Sequence, residues 1–355
     1  MFWDTPSIPA LYGSIIPFLV LDVFVIFLRF YTRRRLRQPF MADDYLIIPG
    51  FLGVLGLQFM WFYGLGKKAL GYRVYELPPP GVDVTNPDYS PVMVDPTGAT
   101  IVLTRRLEYS SLILFTVTAC CIKVSVLSMY KRIFVVVPSW KDKRNLFFIV
   151  MITLISAWAI SWTFAFIFMC GKEVQTLFTN PENLLKYCVD TLAVGYSHAI
   201  SDFITDALII LIPIPFIWQL HLPTGRKLAV CGVFLLGILA AGASMVRMAW
   251  MAWNQAQGFG LLTDEELMIT TELYWINLEI TLGVIACCLP TLRGLFKTKS
   301  MESMVNNVRS LFSIHSGSRS DSFSKTRSKE DSLAESVKSG AVHITVHHAH
   351  GDNRV

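Results

Sequence analysis

The chain has 355 residues, of which 53% are hydrophobic and 16% charged, against roughly a quarter charged in an average soluble domain. That balance excludes an ordinary two-domain soluble enzyme, and 24 Phe, 9 Trp and 12 Tyr exclude a disordered or fibrous chain. The net charge of +5 sits in short basic runs between apolar stretches, which is a pattern of membrane topology and not the footprint of a nucleic-acid binder, so no nucleic acid is expected as partner.

Seven apolar segments follow in order, each near the roughly 20 residues that a helix needs to cross a bilayer core. They run over about Ile8–Phe30, Tyr45–Leu65, Glu108–Tyr130, Leu146–Met169, Tyr196–Trp218, Ala229–Ala252 and Glu272–Leu292. In hydrocarbon every backbone amide must be satisfied within the segment, so these are expected to be helices. The first lacks a basic leading region and is expected to stay as helix one instead of being cleaved as a signal peptide. The predicted fold class is an all-α membrane protein: a seven-transmembrane helix bundle over residues 1–295, followed by a disordered Ser-rich cytoplasmic tail over 296–355.

Lys and Arg set the orientation. They concentrate after segments one, three and five and at the start of the tail, including Arg33, Arg34, Arg35, Arg37, Lys131, Arg132, Lys143, Arg144, Arg226, Lys227, Arg293 and Lys297. The side rich in positive charge stays in the cytoplasm, so the N-terminus is expected outside and the tail inside, in a multi-pass protein assigned to the plasma membrane. Trp61, Trp250, Trp253 and Trp275 then fall near outer helix ends, and Trp218 near an inner one, as an interfacial belt. The connection from about Gly66 to Arg106 is long, outside, and carries Pro78, Pro79 and Pro80; it is either a functional lid or disordered.

Four runs carry a resemblance: RFYTRRRLRQPFMADDYLIIPG across segments one and two, YGLGKK after segment two, KVSVLSMYKRIF ending segment three, and TDALIILIPIPFIWQLHLPTGRKLAVCGVFLLGILAAGASMVRM over five and six. Together the chain resembles the fungal rhodopsin-domain family of receptor-like integral membrane proteins. The resemblance implies seven helices and a membrane location, and little about activity. Lys67 and Lys68 stand where a His usually follows the family's Gly-Leu-Gly turn. The family name suggests retinal, yet segment seven has no Lys for a Schiff base, so no retinal and no other cofactor is expected.

Ionisable groups at membrane depth are costly and mark sites by default. Counting about 1.5 Å per residue from the outer ends puts Asp202, Arg247 and Glu279 roughly 7–11 Å deep, and Asp22 and Lys123 near 21 Å. Asp206 lies between these levels, and His198, Asp202 and Asp206 share one face of segment five. The expectation is an outer cluster of Asp202, Arg247 and Glu279 that serves a ligand together with Asp206 and His198, and an inner charge pair of Asp22 with Lys123. Ion pairs that only lock helix packing are the alternative.

Cys170 and Cys188 flank one short outer loop on the oxidising face; a disulfide is expected, with two free thiols as the alternative, and the family resemblance implies the pairing. Cys120, Cys121, Cys231, Cys287 and Cys288 are expected to pack within spans, Cys288 being a weak candidate for palmitoylation. Pro17, Pro49, Pro213, Pro215 and Pro290 mark bends or hinges. The basic inner loops, Arg33–Arg37 and Lys141–Arg144, suit anionic lipid head groups and could meet a cytoplasmic signalling partner. In the tail, Ser320, Ser322, Ser324, Ser328 and Ser332 lie among Arg319, Arg327 and Lys329 as candidate phosphorylation sites, and His343, His347, His348 and His350 form no convincing metal site. No phosphate-binding Gly-rich loop, zinc-binding His-Glu-x-x-His or Gly-x-Ser-x-Gly elbow occurs, so no catalytic residues are assigned and an enzyme is not expected. Met129-Tyr130-Lys131-Arg132 stands where animal receptors carry an acidic-arginine motif, which speaks against conventional G-protein coupling. The function expected is a non-retinal sensor of an unknown extracellular small molecule, bound between the outer ends of segments three, five, six and seven. The rival is a secondary transporter or an accessory membrane protein of secondary metabolism.

Overall fold

A computed structural model describes residues 7–74, 94–95, 98–135, 142–178, 188–215, 224–257 and 264–296, with side chains at all of these except 224–233, 257 and 292–296. Seven long helices follow one another: α1 (Ile8–Arg35), α2 (Ala42–Gly66), α3 (Ala99–Phe134), α4 (Lys143–Ile167), α5 (Thr191–Leu211), α6 (Thr224–Gln257) and α7 (Glu265–Phe296). Each contains a stretch long and apolar enough to cross a bilayer, and the protein is a multi-pass membrane protein. Phe27, Phe59, Phe164 and Leu235 are among many large apolar side chains left exposed around the bundle, as lipid-facing surfaces require.

Helix starts are set by local chemistry. Asp142 accepts from the Arg144 amide at 3.0 Å and Asp190 from the Ala193 amide at 3.2 Å, each satisfying an orphan donor at the first turn of α4 and α5. Asp43 and Asp44 lie in the first turn of α2, and Arg33, Arg34 and Arg35 in the last turn of α1, both favourable to the helix dipole. α3 begins at Ala99, so the later part of the long connection expected before Glu108 is helix. The chain runs helically through Pro17, Pro49 and Pro290.

α2 and α3 pack closely. A Cβ on Gly53 would collide with the Thr118 side chain, so this crossing requires glycine. At the same end of the bundle as the α3 N-terminus, the segment after α2 is tied down: the Gly71 amide donates to Thr270 Oγ1 at 2.9 Å and the Val74 amide to Asp264 Oδ1 at 2.9 Å. Burial pushes the Asp264 carboxyl above the ordinary carboxylate range, against the hydrogen bond from Val74 and the charge of Arg73.

Cys170 and Cys188 are joined in a disulfide that closes the α4–α5 connection at this same end. The opposite end carries Arg33–Arg35, Lys131, Arg132, Lys143 and Arg144. Two sequence expectations change. Trp61 is 3% exposed and Trp250 4%, so they pack inside the bundle and do not stand in a lipid-facing belt, whereas Trp253 is well exposed. Arg33 is withdrawn from any lipid surface by burial, while Arg34, Arg35 and Arg37 remain exposed. The Ser-rich tail, its serines and histidines, Pro78–Pro80, Lys141 and Trp218 lie outside the described residues.

Candidate functional site

The charged residues of α3, α5, α6 and α7 meet inside the bundle. Asp202 on α5 is fully buried and accepts two cations at once: Lys123 Nζ on α3 at 2.6 Å and Arg247 Nη2 on α6 at 2.6 Å. Arg247 Nε reaches Glu279 on α7 at 3.2 Å, and Lys123 reaches Asp206, one turn below Asp202, at 2.9 Å. Ser244 donates to the other oxygen of Asp206, and Lys123 also donates to Thr205 Oγ1 at 2.8 Å. Aromatic rings flank both cations: Arg247 lies 5.0 Å from the Phe115 ring centre and Lys123 5.0 Å from that of Trp158.

This corrects the sequence reading in one respect. The expected inner pair of Asp22 with Lys123 does not form. Lys123 turns to Asp202 and Asp206, while Asp22 on α1 accepts from Thr281 of α7 at 3.0 Å. Two separate levels therefore become one continuous chain, Asp206–Lys123–Asp202–Arg247–Glu279. Helix counting placed each residue at a depth but could not say that Asp202 has an oxygen for each cation.

His198 packs beside this chain. Its Nε2 meets Thr116 Oγ1 at 3.2 Å, and Phe115, Trp158, Trp162 and Phe166 surround the ring with centroids 5.1–5.8 Å away. Its Nδ1 has no hydrogen-bond partner among the described residues.

Carboxylate oxygens of Asp202, Asp206 and Glu279 lie within 4.8 Å of one another, close enough to share a cation. Lys123 and Arg247 already take that place, so the arrangement is an internal salt-bridge chain. Breaking one buried pair costs about 3–5 kcal/mol because the remaining charge is stranded.

A second network, which the sequence reading missed, closes the arginine end. Arg29 donates to Asp43 at 2.8 Å, to Asp44 at 3.0 Å and to the Cys287 carbonyl of α7 at 2.7 Å. Arg33 bonds Asp43 at 2.9 Å and Asp44 at 3.1 Å, and Arg132 of α3 reaches Asp43 at 3.2 Å. Ser125 donates to the Asp43 carbonyl at 2.8 Å. The signal was present: Arg29 and Arg33 are four apart on one helix face, and Asp43-Asp44 opens the next helix. Also missed was a buried polar pair between α2 and α7, Gln58 donating to Asn277 at 2.7 Å.

A cleft of about 420 Å³ opens between α4 and α5 near the disulfide, lined by Trp162, Phe168, Met169, Val189, Val194 and Ser197. Ala193 and Ser197 of its lining lie on the face of α5 turned away from Asp202. It is therefore distinct from the mouth expected between α3, α5, α6 and α7.

The fungal rhodopsin domain model matches residues 28–298. The chain belongs to the fungal rhodopsin domain family. Three curated proteins are similar to it. A polyenoic acids biosynthesis gene cluster protein, Ba17b of Metarhizium anisopliae, is 21% identical over 92% of this chain and 84% of its own length. A SAT4 family membrane protein of Emericella nidulans is 23% identical over 54% of this chain and 46% of its own. The Fugralins biosynthesis cluster protein 2 of Gibberella zeae is 22% identical over 41% and 36%. The matches thus span less than half the length of the last two. No solved structure matches the chain.

Proposed function

We propose that this fungal rhodopsin domain protein is a receptor-like sensor of an extracellular small molecule, with the Asp202-centred chain as its coupling element. The observation that carries the reading is that one buried carboxylate, Asp202, holds a cation from α3 and another from α6. A ligand that competes for either cation, or adds charge beside it, biases the packing of α3, α5, α6 and α7 between two arrangements. The arginine end is closed by the lattice of Arg29, Arg33, Asp43, Asp44 and Arg132, which favours a sensor over a polar file through the whole bilayer. In the plasma membrane the disulfide end faces outside and the arginine end the cytoplasm. What supports this orientation is the disulfide at one end, which suits an oxidising face, and the basic helix ends at the other. Exposed Arg34, Arg35, Lys143 and Arg144 then face anionic lipid or a cytoplasmic partner.

The second reading is a transporter or accessory protein of secondary metabolism. It draws on the names of two similar proteins, both products of biosynthesis clusters. One experiment separates the two. The purified chain is screened for ligand-induced thermal stabilisation, and active compounds are tested for uptake into proteoliposomes. The sensor reading expects stabilisation without flux, abolished by Asp202→Asn; saturable uptake of the stabilising compound would replace it with the transporter.

A further inference from the structure

The helices repeat their register one layer closer to the disulfide end. Arg247 of α6 pairs with Glu279 of the antiparallel α7. Seven residues along each helix is two turns, about 10 Å, on nearly the same face. Applied from Arg247 and Glu279 toward the disulfide end, that step arrives at Asn254 and Glu272, which are 3% and 4% exposed. From Phe115 on α3, whose ring carries Arg247, the same step arrives at the part-buried Glu108. From Asp202 on α5 it arrives at Gly195, where a Cβ would press on the end of the Met251 side chain at 2.6 Å. α5 thus contributes no side chain there, and the neighbour is a flexible thioether that can repack.

This layer differs from the one below it in chemistry. Glu272 Oε1 and Asn254 Oδ1 are buried acceptors with no hydrogen-bond partner among the described residues. Buried acceptors without a donor are costly, and each calls for a partner. Neither nearby cation donates to these acceptors. Arg247 spends Nε on Glu279 and Nη2 on Asp202; its charge also acts on Glu272, but its Nη1 and Glu272 Oε1 each stand without a hydrogen-bond partner among the described residues. Arg105 bonds Glu265 through both oxygens at 2.6 and 2.9 Å. The charges acting on Glu108 are those of Glu272, Glu265 and Arg105, two carboxylates to one cation. In the layer below, Asp202, Asp206 and Glu279 outnumber Lys123 and Arg247. A positively charged group that donates to Glu272 Oε1 and Asn254 Oδ1 is missing among the described residues.

We propose that this layer binds a small organic cation, an alkyl- or aryl-ammonium, with Glu272 as its counter-charge, Glu108 as a second carboxylate and Asn254 accepting an ammonium N–H. The buried Trp250, one turn from Asn254 on α6, supplies an apolar wall. The site deepens the sensor reading by naming the ligand class, and it rests on that reading only for the consequence of occupancy: a cation adds charge two turns above Arg247, where it acts on the Asp202 chain.

The test uses the full-length chain in detergent or nanodiscs, with phenethylammonium as probe and the similarly sized neutral 2-phenylethanol and anionic 3-phenylpropanoate as controls. Phenethylammonium is expected to raise the thermal midpoint saturably and to change tryptophan fluorescence, while the two controls do neither. Glu272→Gln is expected to weaken the apparent affinity at least about tenfold, corresponding to about 1.4 kcal/mol. Its unliganded midpoint should hold, because the unpartnered oxygen has no protein donor to lose. Asn254→Leu provides a second variant, expected to weaken the same titration. The site is overturned if the three probes act alike, if either variant titrates like the wild-type chain, or if no saturable shift occurs up to about 10 mM, where even a millimolar site is filled. Cation binding accompanied by cation flux sinks the sensor reading and leaves the site. A fluxless response to some other ligand, with no cation binding, sinks the site alone.

Discussion

The two charged networks of this bundle are built in opposite ways. The lattice at the arginine end joins residues close in sequence: Arg29 and Arg33 meet Asp43 and Asp44 across the α1–α2 turn, and Arg132 is added from α3. Its cations outnumber its carboxylates, and both aspartates accept from more than one arginine. The Asp202 chain joins four helices far apart in sequence and has more carboxylates than cations. The first is a clasp centred on the α1–α2 turn, with Arg132 and Ser125 of α3 and the Cys287 carbonyl of α7 at its edges. The second exists only when four helices are assembled, and its excess charge is negative where that of the clasp is positive. A clasp between neighbours in sequence resists change, whereas a chain shared by four helices responds to charge added near it.

The comparison can be broken most sharply at the clasp. Asp43→Ala takes a carboxylate from Arg29, Arg33 and Arg132, leaves Asp44 alone against three buried or part-buried arginines, and is expected to cost about 3–5 kcal/mol. Loss of monodisperse protein on size-exclusion chromatography, or a large fall in thermal midpoint, is the expected result; a midpoint like that of the unaltered chain would mean the lattice is not a clasp. Within the chain the two aspartates should behave differently. Asp202→Asn leaves two cations short and is expected to cost about 3 kcal/mol. Asp206→Asn, which relieves the carboxylate excess and keeps Ser244 as a neighbour, should stay within about 1 kcal/mol. Equal effects in thermal unfolding would deny Asp202 its central place.

A smaller effect tests the correction at Asp22. In a double-mutant cycle, Asp22→Asn and Thr281→Val should couple by about 0.5–1.5 kcal/mol, while Asp22→Asn and Lys123→Gln should add within about 0.5 kcal/mol. Strong coupling of Asp22 to Lys123 would restore the pairing that helix depth alone implied. The smallest effect concerns pH at the disulfide end. The Asp264 carboxyl is raised in the folded state, so the fold binds its proton more tightly than the unfolded chain does. Its contribution is present below the ordinary carboxylate range and is lost as pH rises through the raised value. Asp264→Asn should flatten that part of the midpoint-against-pH curve, and an unchanged slope would assign it to another group.

Much of the architecture was legible because hydrocarbon leaves few choices. A run of about 20 apolar residues must satisfy its own amides, so seven runs mean seven helices. Asp202, Arg247 and Glu279 were legible as a cluster because charge at depth must be paired and their depths agree. Arg29 was overlooked inside the first span, and Arg33 was counted with the surface arginines, since one-dimensional charge runs do not reveal which members turn inward. Asn254 was invisible in the sequence: a lone amide near a helix end carries no signal until its register with Glu272 is known.

The sequence by itself determined the number of helices, their order, the charge at each end and the set of residues that pay for burial at membrane depth. These follow from local chemistry: hydropathy over a turn-counted length and the need of each buried charge for some partner. Only the tertiary structure decided which partner. Lys123 had two aspartates on α5 and one on α1 within reach of a depth argument, and helix rotation and packing chose α5. Pairing depends on the azimuth of each helix about its own axis, which is set by all its neighbours together and is written in no single segment.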